Sequence, residues 1–386
     1  MNFAFTAEQE MLKDNIRKFV KKELSAEVVQ EMDEKEECPE EIWEKMASLG
    51  WLALPIPEEY GGMGGSVVDN VLLLIELSRG SYSIANMYLL TTCFGAHPII
   101  RLGTETQKKK YLPRICDGSY KWALGFTEPG GGTDILGSTV TVADRRGDQY
   151  IIKGQKTFIS GADKANFFTL FLRTSKEEKR TRGFSLLIVD AHSDGITVRK
   201  LKKLGGKPLS ICEIFFENVS VPKENILGHE GEGWYHVVDT LNNERVTAAA
   251  LSIGSGYAAL DYTLNYSKQR MAFGKTIGSF QAIQHRLVDC YILIQLAELM
   301  VYKAAWLQTQ DPTLGAMEGN IANLASSEAF VEAANVGMRT LGGVGYMMEY
   351  PMQRYYRDSI LTLFAPITNE MAKNFIGNRL GLGRSY

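Results

Sequence analysis

Apolar residues recur at helical spacing along roughly the first 120 positions, switch to short strand-like runs near Trp122, and return to helical spacing after about position 230. Met11, Ile16 and Val20 follow Thr6 and Gln9, which together form a capping-box pair. Pro39 stands where a second helix would start, ahead of Ile42, Met46 and Leu49. Residues 55–65 read as a loop by their Pro and Gly content, and 67–77 and 82–102 are long enough for buried helices. Thr104 with Gln107 opens a further helix, expected to end before Pro113. From Trp122 the runs 138–143, 150–152, 156–159, 167–172, 184–189, 196–199 and 214–221 are strand-like, and turn residues such as Arg146-Gly147-Asp148, Lys153-Gly154 and Ser193-Asp194-Gly195 separate many of them. Strands this dense predict a small antiparallel barrel or sandwich, not alternating βαβ units. Long helices are expected over 241–270, 280–308, 315–341 and from 352 onward.

A chain of 386 residues exceeds one ordinary core and suggests two or three domains. The net charge of −3 leaves no excess of cations for a nucleic-acid backbone. Basic clusters at Lys108-Lys109-Lys110, at Lys179-Arg180 with Arg182, and at Arg199-Lys200 with Lys202-Lys203 read as solvated faces, any one of which could meet a small ligand's phosphates. Cys38, Cys93, Cys116, Cys212 and Cys290 are widely spaced, which fits a reducing compartment and neither a disulfide framework nor a zinc site. The five histidines lack ligand spacing, so no metal is expected. The sequence opens on a helical pattern and is read as lacking a leader, and no apolar run is expected to reach spanning length. The expectation is a soluble, cytoplasmic protein with no membrane contact.

Chemistry concentrates in a few stretches. The first, Trp122 to Asp134, ends in Thr127-Glu128-Pro129-Gly130-Gly131-Gly132-Thr133-Asp134, where glycines let backbone amides approach a ligand between two threonine hydroxyls. A glycine-rich hairpin alone would explain the glycines, but not the ordered set around them. No Gly-x-Gly-x-x-Gly follows a strand and opens a helix, so nucleotide binding in the Rossmann manner is not expected.

That ordered set closely resembles the flavin- and substrate-binding signature of the acyl-CoA dehydrogenase family, with Thr133 where Ser is usual and Phe126 where an aliphatic is often found. Lys156-Thr157-Phe158-Ile159-Ser160 resembles the family's Trp-Ile-Thr loop, and Arg270-Met-Ala-Phe273-Gly274 with Phe280-Gln281 its Arg-x-x-Phe-Gly…Gln element. Leu341-Gly342-Gly343-Val344-Gly345, continuing to Arg354 and Arg357-Asp358, is similar to its C-terminal signature, with Arg339 where Gln, Asp or Glu is usual.

The resemblance implies an α+β fold with an N-terminal helical domain (1–120), a central antiparallel β-barrel (121–228) and a C-terminal four-helix bundle (229–386). It implies FAD held by Leu124, Phe126, Thr127, Gly132, Thr133, Phe158, Ser160, Arg270, Phe273, Phe280, Gln281, Leu341, Gly342, Gly343, Thr368 and Glu370. Acyl-CoA would meet Thr133, Arg245 and Thr91. A guanidinium such as Arg270 suits a bidentate grip on pyrophosphate, and in the family this element reaches a neighbouring subunit's flavin, implying a dimer or tetramer. An electron-transferring flavoprotein is the implied acceptor.

The reaction needs a base for the Cα proton while flavin N5 accepts the Cβ hydride. Pro366 occupies the family's commoner base position, and Glu370 matches the second Glu of that motif. Some members, including isovaleryl- and long-chain-acyl-CoA dehydrogenases, carry the base earlier, directly before an Arg, where this chain has Glu244-Arg245. Glu244 could instead be an ordinary ion-pair partner of Arg245. Loss of the common Glu also keeps open an enoyl-CoA reductase, an alicyclic acyl-CoA dehydrogenase with an atypical base elsewhere in the pocket or with a neutral hydroxyl such as Thr91 or Thr92 shaping the chemistry, or a catalytically silent acyl-CoA- and FAD-binding subunit.

Overall fold

The computed structural model describes residues 4–383. Helices α1 (Ala7–Glu23), α2 (Ala26–Lys35), α3 (Glu40–Ser48), α4 (Val67–Gly80), α5 (Tyr82–Thr91), α6 (His97–Leu102) and α7 (Glu105–Cys116) form the N-terminal region. The capping boxes at Thr6 with Gln9 and at Thr104 with Gln107 both close. Three details differ from the sequence pattern. Pro39 precedes the third helix rather than the second, because Ser25 caps the intervening α2. Helix α7 runs on through Pro113, and the apolar stretch 82–102 is broken between α5 and α6 by a π-turn over Thr92–Ala96. Such turns insert a residue into the helical ladder and are frequent at functional sites.

The central region carries β1 (Trp122–Gly125), a short α8 (Ile135–Ser138), β2 (Val142–Arg146), β3 (Gln149–Ser160), β4 (Phe167–Arg173), β5 (Phe184–Asp190), β6 (Ile196–Leu201), β7 (Ile211–Pro222) and β8 (Ile226–Leu227). The expected turn at Lys153-Gly154 is a bulge inside β3, where Gly154 adopts φ +146° and a Cβ would meet Thr141 Cα at 2.7 Å. Strand order is β6-β7-β3-β2-β4-β5-β8, with β1 against β4. This corrects the expected antiparallel barrel. Strand β1 pairs in parallel with β4 over Phe167–Leu170 and takes that edge, leaving β2 a single pair, Val142 with Arg173. Strands β6 and β8 end the path unjoined, so the sheet stays open. Its halves meet face to face instead, with Tyr150, Ile152, Ile214 and Phe216 sharing a core with Phe168, Leu170, Leu187 and Val189.

The C-terminal region comprises α9 (Gly233–Gln269), a β9–β10 hairpin (Met271–Ala272, Lys275–Thr276), α10 (Gln281–Gln310), α11 (Ala316–Leu341), α12 (Gly343–Tyr346), α13 (Met352–Leu361) and α14 (Asn369–Arg379). Helices α9 and α11 run parallel, because Gly319 lies against Arg245 and Val246 while Gly337 lies against Thr263. Helix α10 returns between those ends, where Gln308 donates to the Asn242 carbonyl at 3.1 Å. Contrary to the sequence expectation, α10 is long and apolar enough, by length and composition, to cross a bilayer. Its inner face buries Ile294, Ala297, Val301 and Ala304, and its outer face exposes Tyr291, Ile292, Leu296 and Leu299.

Candidate active site

The Pro-Gly-Gly-Gly loop is fastened where it leaves β1. Thr157 N donates to Thr127 O at 2.9 Å, and Thr127 Oγ1 donates to Thr157 O at 2.5 Å. Beneath them Lys156 and Glu128 form an ion pair at 2.8 Å with both side chains closed to solvent. The motif reading missed this pair. The signal available was a charge at Lys156 inside a run otherwise fit to be a buried strand. Phe126 packs edge-on to Phe171, with ring centroids 5.1 Å apart, and Leu124 is half-buried beside it. Gly132 and Thr133 are exposed at the loop's crest.

Across the loop, Phe158 adopts φ +59° at an irregularity in β3. Its ring is 64% exposed, and Ser160, two residues on, is half-buried. An aromatic in the left-handed region is sterically costly and clusters at functional sites. Here it aims an apolar face away from the sheet core.

Glu244 lies on α9 near Cys93 of the π-turn, whose thiol is pushed well above its usual range, first by burial and then by the Glu244 charge. The π-turn is fixed to the sheet. Trp122 N donates to Thr91 Oγ1 at 3.2 Å, Trp122 Nε1 to Thr169 Oγ1 at 2.8 Å, and Thr169 Oγ1 to the Phe94 carbonyl at 2.6 Å. A Cβ at Gly95 would meet the Trp122 ring at 2.8 Å, so glycine permits that approach. Thr91 Oγ1 thus accepts from the Trp122 amide at the junction, while Thr92 donates to the Tyr88 carbonyl.

Among the described residues no hydrogen bond or ion pair reaches the Glu244 carboxylate. Arg245 donates instead to Asn242 Oδ1 at 2.9 Å, and its Nε is buried without a partner. The ion-pair alternative for Glu244 is therefore not what the side chains adopt. Burial pushes the Glu244 carboxyl up to about 7, against the opposing pull of the Arg245 charge. A carboxylate so placed holds a proton weakly enough to release it and strongly enough to take one near neutrality.

The remaining predicted residues gather elsewhere. Arg270 caps the far end of α9, exposed and without a carboxylate partner among the described residues. The hairpin after it turns through Phe273 and Gly274, both at positive φ, with Phe273 97% exposed. Phe280 packs edge-on to Phe273 and precedes Gln281, the first residue of α10. At the same end of the bundle α11 stops at buried Leu341, and Gly342 takes φ +60°. A Cβ on Gly342 or Gly343 would meet no protein atom. Thr368 caps α14 by accepting from Met371 N at 3.1 Å, with Glu370 exposed in its first turn. Arg357 and Asp358 serve neither set but clamp domains together: Arg357 pairs with Asp33 at 2.5 Å, and Asp358 accepts from Gly206 N at 2.6 Å.

The residues present fit a flavin dinucleotide. Two exposed aromatics at positive φ, an unpaired guanidinium and an open glycine cradle are what stacking and pyrophosphate contact require.

Comparison with known proteins agrees over nearly the whole length. Residues 6–119 match the acyl-CoA dehydrogenase N-terminal domain, 123–219 the middle domain and 231–381 the C-terminal domain. A probable acyl-CoA dehydrogenase of Bacillus subtilis (strain 168) is 36% identical over 98% of this chain and 100% of its own length. The caffeyl-CoA reductase-Etf complex subunit CarC of Acetobacterium woodii is 36% identical over 92% of this chain and 93% of its own. The structure of a glutaryl-coenzyme A dehydrogenase in complex with glutaryl-CoA superposes with a TM-score of 0.96 at 33% identity, covering 100% of this chain and 98% of that one. With three successive domains matched in order, the chain belongs to the acyl-CoA dehydrogenase family.

Proposed function

We propose that this protein is an FAD-dependent acyl-CoA dehydrogenase in which Glu244 removes the Cα proton of the thioester. The observation that carries the assignment is the Glu244 carboxylate, unpaired among the described residues and lifted to about 7 by burial beside the domain junction. FAD, when bound, supplies the hydride acceptor for Cβ. Phe158 offers a stacking face and Ser160 a hydroxyl, while Thr127, whose proton goes to the Thr157 carbonyl, offers a ligand its oxygen. The unsatisfied Nε of Arg245 supports a contact with a polar part of the thioester, and the exposure of Thr133 supports a contact with the carrier portion. Pro366 cannot titrate, so the later position contributes no base.

Arg270 lies about 39 Å from Glu244 along α9 at the usual helical rise. The Gly342-Gly343 cradle shares Arg270's end of the bundle. We therefore assign Arg270, Phe273, Phe280, Gln281 and Leu341–Gly343 to a neighbouring subunit's FAD, which requires a closed dimer or tetramer. The outward apolar face of α10 suits such an interface better than a bilayer, because the helix's other face is committed to the core. Acid release should yield one FAD per chain, and the native mass should be twice or four times the chain mass. A monomer with full FAD content would contradict the shared site.

A second reading is supported by the caffeyl-CoA reductase relative: the same site run in reverse, with Glu244 returning the proton to Cα. That relative's Etf complex also supports an electron-transferring flavoprotein as redox partner here. The unpaired cysteines suit the cytoplasm.

A further inference from the structure

The Glu128–Lys156 pair lies under the loop that the proposed function assigns to FAD, and none of its atoms is free to meet a ligand. Lys156 Nζ donates to the Phe126 carbonyl at 3.0 Å as well as to Glu128 Oε1. Glu128 in turn accepts from Val140 N at 2.8 Å and from Thr141 N at 3.1 Å. One buried ammonium and one buried carboxylate thus tie together three stretches of backbone: the loop's departure at Phe126, its return at Val140–Thr141, and β3 itself. Adjacent residues carry the proposed flavin contacts, with Thr127 between the two loop anchors and Phe158 two positions beyond Lys156.

A buried ion pair seldom stabilises a fold more than apolar side chains of similar shape would, and its best-attested use is to fix one arrangement over others. The loop needs such a device. Its glycines leave the backbone free and its crest residues are exposed; beyond the Thr127–Thr157 bonds it is tied to strands at its return, where Arg173 N donates to the Thr141 carbonyl at 2.9 Å and Thr141 Oγ1 to the Gln155 carbonyl at 3.2 Å. Without the pair, the loop's return would keep its Thr141–Gln155 bond, but its departure at Phe126–Glu128 would be held to β3 by the Thr127–Thr157 bonds alone and could carry Thr127 out of step with Phe158 and Ser160.

We propose that Glu128 and Lys156 are positioning residues that lock the Phe126–Thr141 loop to β3, so that both flavin-contacting segments present one rigid surface. This rests on the FAD reading above, and the two fail differently: wild-type protein without FAD defeats that reading, whereas FAD-replete variants defeat this one. The test is Lys156→Met together with Glu128→Gln, the latter isosteric and still able to accept from the Val140 amide. Each variant's apoprotein should keep the wild-type circular dichroism. Each should bind added FAD on the order of tenfold or more weakly, with the protein-bound flavin fluorescing more strongly. Misplacement of this kind typically costs about 10²-fold in rate, so flavin reduction by substrate should fall further than FAD occupancy does. If Lys156→Met does not fold, Glu128→Gln decides alone. Wild-type FAD affinity and fluorescence in a folded variant overturn the proposal. So does failure of both to fold, which would make the pair a folding determinant.

Discussion

Glu244→Gln should keep its FAD and its acyl-CoA binding yet reduce the flavin on the order of 10²–10⁴ times more slowly than wild type. The substitution preserves shape and deletes a carboxylate that burial lifts to about 7 and that no hydrogen bond or ion pair reaches among the described residues. No other assigned group can substitute: Thr91 and Thr92 are committed to hydrogen bonds within the fold, and position 366 is proline. In stopped-flow measurements the wild-type rate at limiting acyl-CoA should rise with pH through about 7, the value to which burial lifts the Glu244 carboxyl in the free enzyme. The sign follows from the role, since a base works only when deprotonated and a raised pKa moves that limb upward. The variant should lose the limb. Near-normal flavin reduction in Glu244→Gln would remove it as the base.

The second large effect is on the cofactor. Arg270→Ala should be purified with little or no FAD while keeping the wild-type fold, because the side chain is exposed and makes no ion pair among the described residues. Arg270→Lys should recover only part of the binding, since an ammonium cannot reproduce a bidentate fork on pyrophosphate. Mixing apoprotein of Arg270→Ala with a folded chain defective in the Thr127–Ser160 surface should restore sites in mixed oligomers if the site is shared. Full FAD content in Arg270→Ala would contradict the assignment.

Much of this was legible in the sequence. The change of period at Trp122 and its reversal after about residue 230 placed the helical and sheet regions. The helices over 241–270, 280–308 and 315–341 differ from α9, α10 and α11 mainly at their ends. What escaped was long-range. Nothing in the pattern says that β1 takes the edge of β4 and leaves the sheet open, because pairing partners lie far apart in sequence. The π-turn at Thr92–Ala96 is invisible in an apolar run whose period it shifts by one residue. The motif resemblance already sets the Arg270 element apart, but that the Gly342–Gly343 turn shares Arg270's end of the bundle, far along α9 from Glu244, follows only from the parallel course of α9 and α11. The Lys156–Glu128 pair shows the same limit: local sequence displays a lysine in a strand, and only the fold supplies its carboxylate 28 residues earlier.

As proposed, this chain passes hydrogen from an acyl-CoA to FAD with Glu244 as the base. The most direct test is anaerobic titration of FAD-loaded wild-type protein and Glu244→Gln with a panel of linear, branched and alicyclic acyl-CoAs, following the flavin's visible absorbance. At least one acyl-CoA should bleach the wild-type flavin promptly, with the matching enoyl-CoA formed in equal amount, while the variant binds the same ligand and stays yellow. Wild-type protein that binds acyl-CoAs yet keeps its flavin oxidised with every one of them, or a variant that bleaches as fast as wild type, would contradict the account.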